Sequence, residues 1–141
     1  MGYAFEITTP AVERILQKIS PTFDFEITSA FKKDSTEITD EDRAKLFDMI
    51  KNLENSKVII THGTDTMLKT AEKLSEIKDK KIIITGAMRP EKFSDSDASF
   101  NIGMAVGAIG TLSDGIYIAM HGRVISWEEC IRNENGQFMK K

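Results

Sequence analysis

The residues best placed to do chemistry are Thr61-His62-Gly63-Thr64-Asp65-Thr66, a string with hydroxyls on both sides of a carboxylate. A positioned hydroxyl can donate or receive a proton in an acyl-transfer step, and a fixed carboxylate in a dry pocket can pair with an ammonium. Ordinary helix capping is the alternative, because threonine and aspartate both satisfy the free amides of a helix start. His62 titrates near neutrality when unperturbed. No Ser–His–Asp order surrounds it, however, and with His121 as the other histidine a metal cluster is poorly supported. Both histidines therefore read as structural. A second loop, Thr85-Gly86-Ala87-Met88-Arg89-Pro90, is followed by Ser94-Asp95-Ser96-Asp97. Arg89 can pair with one of those acids or with a carboxylate ligand, the internal ion pair being favoured. The glycines match neither a dinucleotide fingerprint nor a phosphate loop.

Both loops need a scaffold that brings them to one edge. Lys57–Thr61 and Lys81–Thr85 are strands without polar alternation, as expected where both faces are covered. Gly115–Ala119 is a third. Phe5-Glu6-Ile7 is a short alternating segment, and Phe23, Phe25 and Ile27 alternate with polar residues. Helices are expected from Thr9-Pro10 through Val12, Ile15, Leu16 and Ile19 to Pro21, and from Thr39 or Asp40 with Leu46, Phe47, Ile50 and Leu53 inward. Two more carry Met67, Leu68, Ala71, Leu74 and Ile77, and span Ile102 to Leu112. Gly103, Gly107 and Gly110 in the last are read as sites of close packing on a sheet. Strands alternating with helices imply a parallel sheet covered on both faces, with ligands beyond the carboxyl ends of its strands.

The chain has 141 residues, a size that suits one domain over 1–141. Its 19 basic and 22 acidic side chains are well mixed, with a formal net charge of -3. Nothing there favours nucleic acid or an anionic membrane. Apolar runs are far too short to span a bilayer, and no secretory segment opens the chain, so the cytoplasm is the expected location. Cys130 is the single cysteine, which excludes an intrachain disulfide.

The string from Ile60 to Met67, with Thr70 and Ala71 after it, resembles a signature of the bacterial-type L-asparaginases and glutaminase-asparaginases. Ile84 to Pro90 with Ser94, Asp95, Phe100 and Asn101 is similar to the segment that follows in that family. Asp34-Ser35-Thr36-Glu37-Ile38 resembles its substrate-binding loop. Gly122-Arg123-Val124, leading into Trp127, Arg132 and Phe138, looks like the end of its amino-terminal domain in short, single-domain members. The resemblance implies a three-layer, doubly wound, mainly parallel sheet. It implies hydrolysis of L-asparagine to L-aspartate and ammonia without metal or organic cofactor. Thr64 would help attack the amide, Asp65 would receive the α-ammonium group, and Ser35 would bind the α-carboxylate, with Thr36 beside it as a further substrate-binding position.

The likeness has three departures. Members of the family open with a strand running into Thr-Gly-Gly-Thr-Ile, whose first threonine is the usual nucleophile, and nothing of that kind precedes Phe5. The first strand is therefore expected to be missing, leaving two apolar edges unpaired. Trp127 stands where the family uses a lysine, and Thr36 where many relatives have glutamine. Three functions follow. One is an asparaginase-type amidohydrolase of doubtful activity. Another is a catalytically inactive domain of the same fold that binds an amino acid or serves as a subunit. The third is an unrelated α/β ligand domain. By family analogy the assembly is a homodimer or tetramer.

Overall fold

The computed structural model describes residues 2–6, 12–89 and 96–141. Its main sheet has the order β2-β1-β3-β4-β5-β6, with β1 at Gly2–Glu6, β2 at Phe25–Ser29, β3 at Lys57–Thr61, β4 at Lys81–Thr85, β5 at Gly115–Met120 and β6 at Arg123–Ser126. Neighbours from β2 to β5 run parallel, and β6 returns antiparallel beside β5. The β5–β6 hairpin turns on His121 and Gly122, both at positive φ (53° and 79°). That is the backbone of the two-residue turns that match strand twist. His121 thus serves the turn, while its ring stacks on Phe138 with centroids 6.1 Å apart.

The gap expected in mid-sheet is not open. Gly2–Glu6 runs between β2 and β3, with Gly2 opposite both Phe25 and Lys57 and Glu6 opposite both Ser29 and Thr61. The backbone groups facing that slot are thereby paired, as a covered sheet requires. Ile7, Thr9, Pro10, Pro90, Ser94 and Asp95, on which sequence expectations also fell, lie outside the described residues.

Side chains of the central strands divide between two layers with the period of two that a strand imposes. Val58, Ile60, Ile82, Ile84, Ile116 and Ile118 face α2 (Asp40–Lys51) and α3 (Met67–Leu74), meeting Leu46, Ile50, Met67, Ala71 and Leu74 in one core. Ile83 and Ala119 face the other way and meet Ala105 and Ile109 of α4 (Ala98–Ile109). Val12, Ile15 and Leu16 of α1 (Val12–Gln17) join Ala98 and Ile102 on that same side. The result is helix, sheet, helix.

Expectations change in several places at the ends and faces of helices. Helix α1 stops at Gln17 and leaves Ile19 57% exposed. Ser20 has φ 48°, and a residue before proline avoids the right-handed helical region. Helix α4 begins at Ala98, four residues before the expected start, because Ser96 Oγ accepts from the Ala98 amide and Asp97 O from the Asn101 amide. The glycines of α4 do not pack against the sheet. A Cβ at Gly103 or Gly107 would meet nothing within 4 Å, and at Gly110 only Lys57 Nζ at 3.9 Å. Glycine marks close approach in many helices, but here Gly103 and Gly107 lie on the exposed face.

Helix α2 has its expected start. Thr39 Oγ1 accepts from the Asp42 amide at 3.1 Å, and Asp42 Oδ2 accepts from the Thr39 amide at 3.0 Å. This is a reciprocal cap. Asp42 also receives Lys33 Nζ at 2.8 Å, which ties the loop before Ser35 to the helix. The lysine bond, with the Thr39 amide next, holds that carboxyl down at about 2.

Candidate active site

Strand order reverses at β1: the chain first winds to β2, then crosses to β3. Such a switch point leaves a crevice at the carboxyl edge. The loop after β3 and the loop after β2 meet there. His62 N–H donates to Thr85 O at 2.9 Å, which carries the strand pairing one residue past β3. The next residue must lack a side chain, because a Cβ at Gly63 would sit 2.7 Å from the Ser35 Cβ. The neighbouring loop has the same demand, since a Cβ at Gly86 would sit 2.2 Å from His62 O.

Ser35 opens a short 3₁₀ turn, Ser35–Glu37, and is 3% exposed. Its Oγ accepts from the Asp65 amide at 3.1 Å, and its carbonyl accepts from Thr66 Oγ1 at 2.7 Å. These two bonds join segments thirty residues apart and fix Thr64 and Asp65 relative to Ser35. Thr36, next in the turn, is exposed. Helix α3 takes Thr66 as its N-cap position, and the Thr66 hydroxyl is turned to Ser35 instead of capping. The structure thus brings Ser35, Thr64 and Asp65 together, with Thr36 beside them in the chain.

His62 is buried behind this loop. Nδ1 lies 2.6 Å from the Gly63 carbonyl, an acceptor, so Nδ1 carries the proton. Nε2 then accepts from Thr70 Oγ1 at 2.8 Å, and Thr70 Oγ1 accepts from Arg43 Nε at 3.1 Å. Burial holds the imidazole pKa down at about 4, outweighing the Gly63 bond, and the Arg43 charge acts in the same direction. His62 is therefore a neutral clamp on the Gly63–Thr64 peptide, and its structural reading holds.

Behind the second loop, Asp97 accepts the amides of Met88 (3.0 Å) and Arg89 (2.9 Å) and the side chain of Asn101 (3.0 Å). Burial works against this carboxylate, but those amides and Asn101 hold its pKa below the ordinary value. Asn101 Nδ2 also donates to Gly86 O at 2.8 Å, so the loop is pinned from α4. Arg89 meets Asp97 through its backbone amide.

Arg132 is the site residue that sequence reasoning missed. A second, two-stranded sheet pairs β7 (Cys130–Arg132) with β8 (Phe138–Lys140). From β7, Arg132 reaches the loop: Nη1 lies 3.2 Å from Thr64 O and 3.3 Å from Asp65 Oδ1, and Nη2 lies 3.3 Å from Thr64 Oγ1. The Asp65 side chain is 61% exposed and the Arg132 side chain 27%. In sequence Arg132 belongs to a polar run ending in Asn135-Gly136, which signals a turn and says nothing of a partner 67 residues away. Among the described residues no group of three or more His, Cys, Asp or Glu gathers as a metal site. No helix among them is long and apolar enough to cross a membrane.

The family described as Asparaginase, N-terminal matches residues 2–138. Glutaminase-asparaginase of Pseudomonas aeruginosa is 30% identical over 114 residues, covering 74% of this chain and 32% of the relative. One glutamyl-tRNA(Gln) amidotransferase subunit, from Methanococcus vannielii, is 44% identical over 69 residues, which is 48% of this chain and 16% of that relative. The crystal structure of a probable cytoplasmic L-asparaginase from Campylobacter jejuni superposes with a TM-score of 0.87 at 24% identity, covering 99% of this chain and 52% of the other. The chain therefore spans about half of that structure, and less of the two relatives.

Proposed function

The chain belongs to the asparaginase amino-terminal domain family, and from that membership we propose that residues 1–141 form an asparaginase-type amidohydrolase domain acting on L-asparagine. The reaction adds water across the side-chain amide and releases L-aspartate and ammonia, with no metal or organic cofactor. The observation that carries the reading is the junction of Ser35, Thr64 and Asp65 at the switch point of the sheet. Thr64 Oγ1 lies beside a guanidinium at 3.3 Å, which favours build-up of negative charge on that oxygen. Thr64 is assigned to the attack on the amide, Asp65 to the α-ammonium group, and Ser35 with Thr36 to the substrate's α-carboxylate side. A homodimer or tetramer in the cytoplasm is the assembly and location proposed, by analogy with the family.

A second reading is an amino-acid-binding or subunit role without turnover. The similarity to an amidotransferase component supports it. Ammonia release from L-asparagine, measured on the purified chain and on Thr64→Ala, separates the two. The hydrolase reading expects release that falls by at least about a hundredfold in the variant, the scale of losing one group that acts in acyl transfer. Release unchanged by the substitution overturns Thr64 as the acting residue. A folded chain that binds L-aspartate and releases nothing supports the binding reading.

A further inference from the structure

Arg43 of α2 buries its guanidinium against α3, where the residue is 6% exposed. Nε donates to Thr70 Oγ1 at 3.1 Å and Nη1 to Asp40 Oδ1 at 3.2 Å, while Nη2 is buried and meets no acceptor among the described residues. Asp40, on the same helix, is fully exposed, so water screens that ion pair. A buried donor without an acceptor lowers stability, and an apolar side chain fills such a place at less cost. Stability alone gives no reason for an arginine here.

The direction of its hydrogen bonds does. An arginine side chain has donors and no acceptor. The Thr70 hydroxyl takes the Arg43 Nε hydrogen, which leaves its own hydrogen for His62 Nε2 at 2.8 Å. Were the imidazole to donate as well, that hydrogen would be left without either partner. Nε2 is thereby kept as the acceptor, and the proton of the neutral ring stays on Nδ1, 2.6 Å from Gly63 O. The other tautomer would turn a lone pair on that carbonyl. The hydrogens thus run one way, from α2 through α3 to the loop, and the end that fixes their sense lies in the core. Asp65 and Thr66 are tied separately to Ser35, whereas the Gly63–Thr64 peptide is held from behind by His62. We propose that Arg43 is a positioning residue, which sets the tautomer of His62 through Thr70 and so holds Thr64 where it acts. This inference rests on reading Thr64 as the group that attacks the amide.

Proton–nitrogen correlation spectra of the imidazoles, taken on the full chain at neutral pH, show which ring nitrogen carries the proton. His121, the other histidine in the sequence, is the internal reference. The parent chain is expected to hold His62 in the Nδ1–H form. Arg43→Met fills the same place without a donor and should make the Nε2–H form detectable. Its kcat for ammonia release from L-asparagine should fall by about tenfold with KM within about twofold, because lost orientation acts on the chemical step. Arg43→Lys again offers donors alone and should restore the tautomer and most of kcat. Thr70→Val cuts the same chain at its middle and should reproduce Arg43→Met, which keeps the test open should that variant not fold. A pure Nδ1–H ring in either folded variant, or an unmoved kcat beside a changed tautomer, overturns the role of Arg43 and leaves the amide site standing. A parent chain that releases no ammonia overturns the amide reading, and with it the positioning of Thr64, even where the tautomer follows Arg43.

Discussion

At the scale of single residues, the clearest consequence of the structure concerns pH. His62 is 1% exposed, and its imidazole is held neutral down to a pKa of about 4, against 6.5 for the free side chain. Below pH 6.5 the unfolded chain takes up a proton that the folded chain refuses. Stability is then full above pH 6.5, falls as pH drops toward 4, and levels off below that for this group. The loss across the window is about 3 kcal/mol. Urea unfolding followed at pH 7 and pH 4.5 should show it, and His62→Gln should flatten the dependence in that range. A midpoint equally pH-sensitive in the variant assigns the effect to other groups. The histidine's place in the loop was legible in the sequence, and its structural role follows from having no triad partner. Its bond to Thr70 and the Arg43 contact behind it were not legible, because each joins separate elements. Arg132 was hidden for the same reason.

At the scale of elements, strands were the most legible. Lys57–Thr61 and Lys81–Thr85 occur with the bounds the sequence suggested, since a buried parallel strand shows as an unbroken apolar run. Helix faces were read well where leucine and isoleucine mark them, as at Leu46 and Ile50, and badly where glycine does. A glycine in a helix is compatible with a tight contact or with open solvent, and nothing in its neighbours along the chain decides which. Because a Cβ at Gly103 or Gly107 meets no atom within 4 Å, alanine is free to enter both positions. Gly103→Ala and Gly107→Ala should each stabilise the chain by about 0.5–1 kcal/mol, from helix propensity and a less flexible unfolded state. Denaturant midpoints of the two single variants and the double variant measure this. A loss of stability in either would mean that something covers the exposed face of α4.

At the scale of the whole molecule, the layers order the protein from inside out. Ile82, Ile83 and Ile84 of β4 are fully buried, with strands on both sides and a helix layer over each face. The β7–β8 hairpin has a single partner strand in its own sheet and exposes Ile131 and Met139. Amide exchange should therefore be slowest in β3, β4 and β5 and faster by orders of magnitude in β7 and β8. Hydrogen exchange read by mass spectrometry or NMR checks the ranking, and a hairpin as protected as β4 would contradict it. The three-layer plan was visible in the alternation of strand and helix patterns. The filling of the central slot by Gly2–Glu6 was not, because five residues of mixed polarity carry no signal that tells a central strand from an edge.

The turn that leads into the hairpin carries a detector of its own. Trp127, the only tryptophan in the sequence, opens the 3₁₀ turn Trp127–Glu129 between β6 and β7 and packs against the main core. Indole emission shifts with the polarity around the ring, and here no second indole contributes to the signal. Any lifting of the hairpin that draws Arg132 away from Asp65 pulls on the segment in which that ring is seated. Intrinsic fluorescence of the unlabelled chain thus reports, in one channel, on the seating of the turn that leads into the hairpin carrying Arg132.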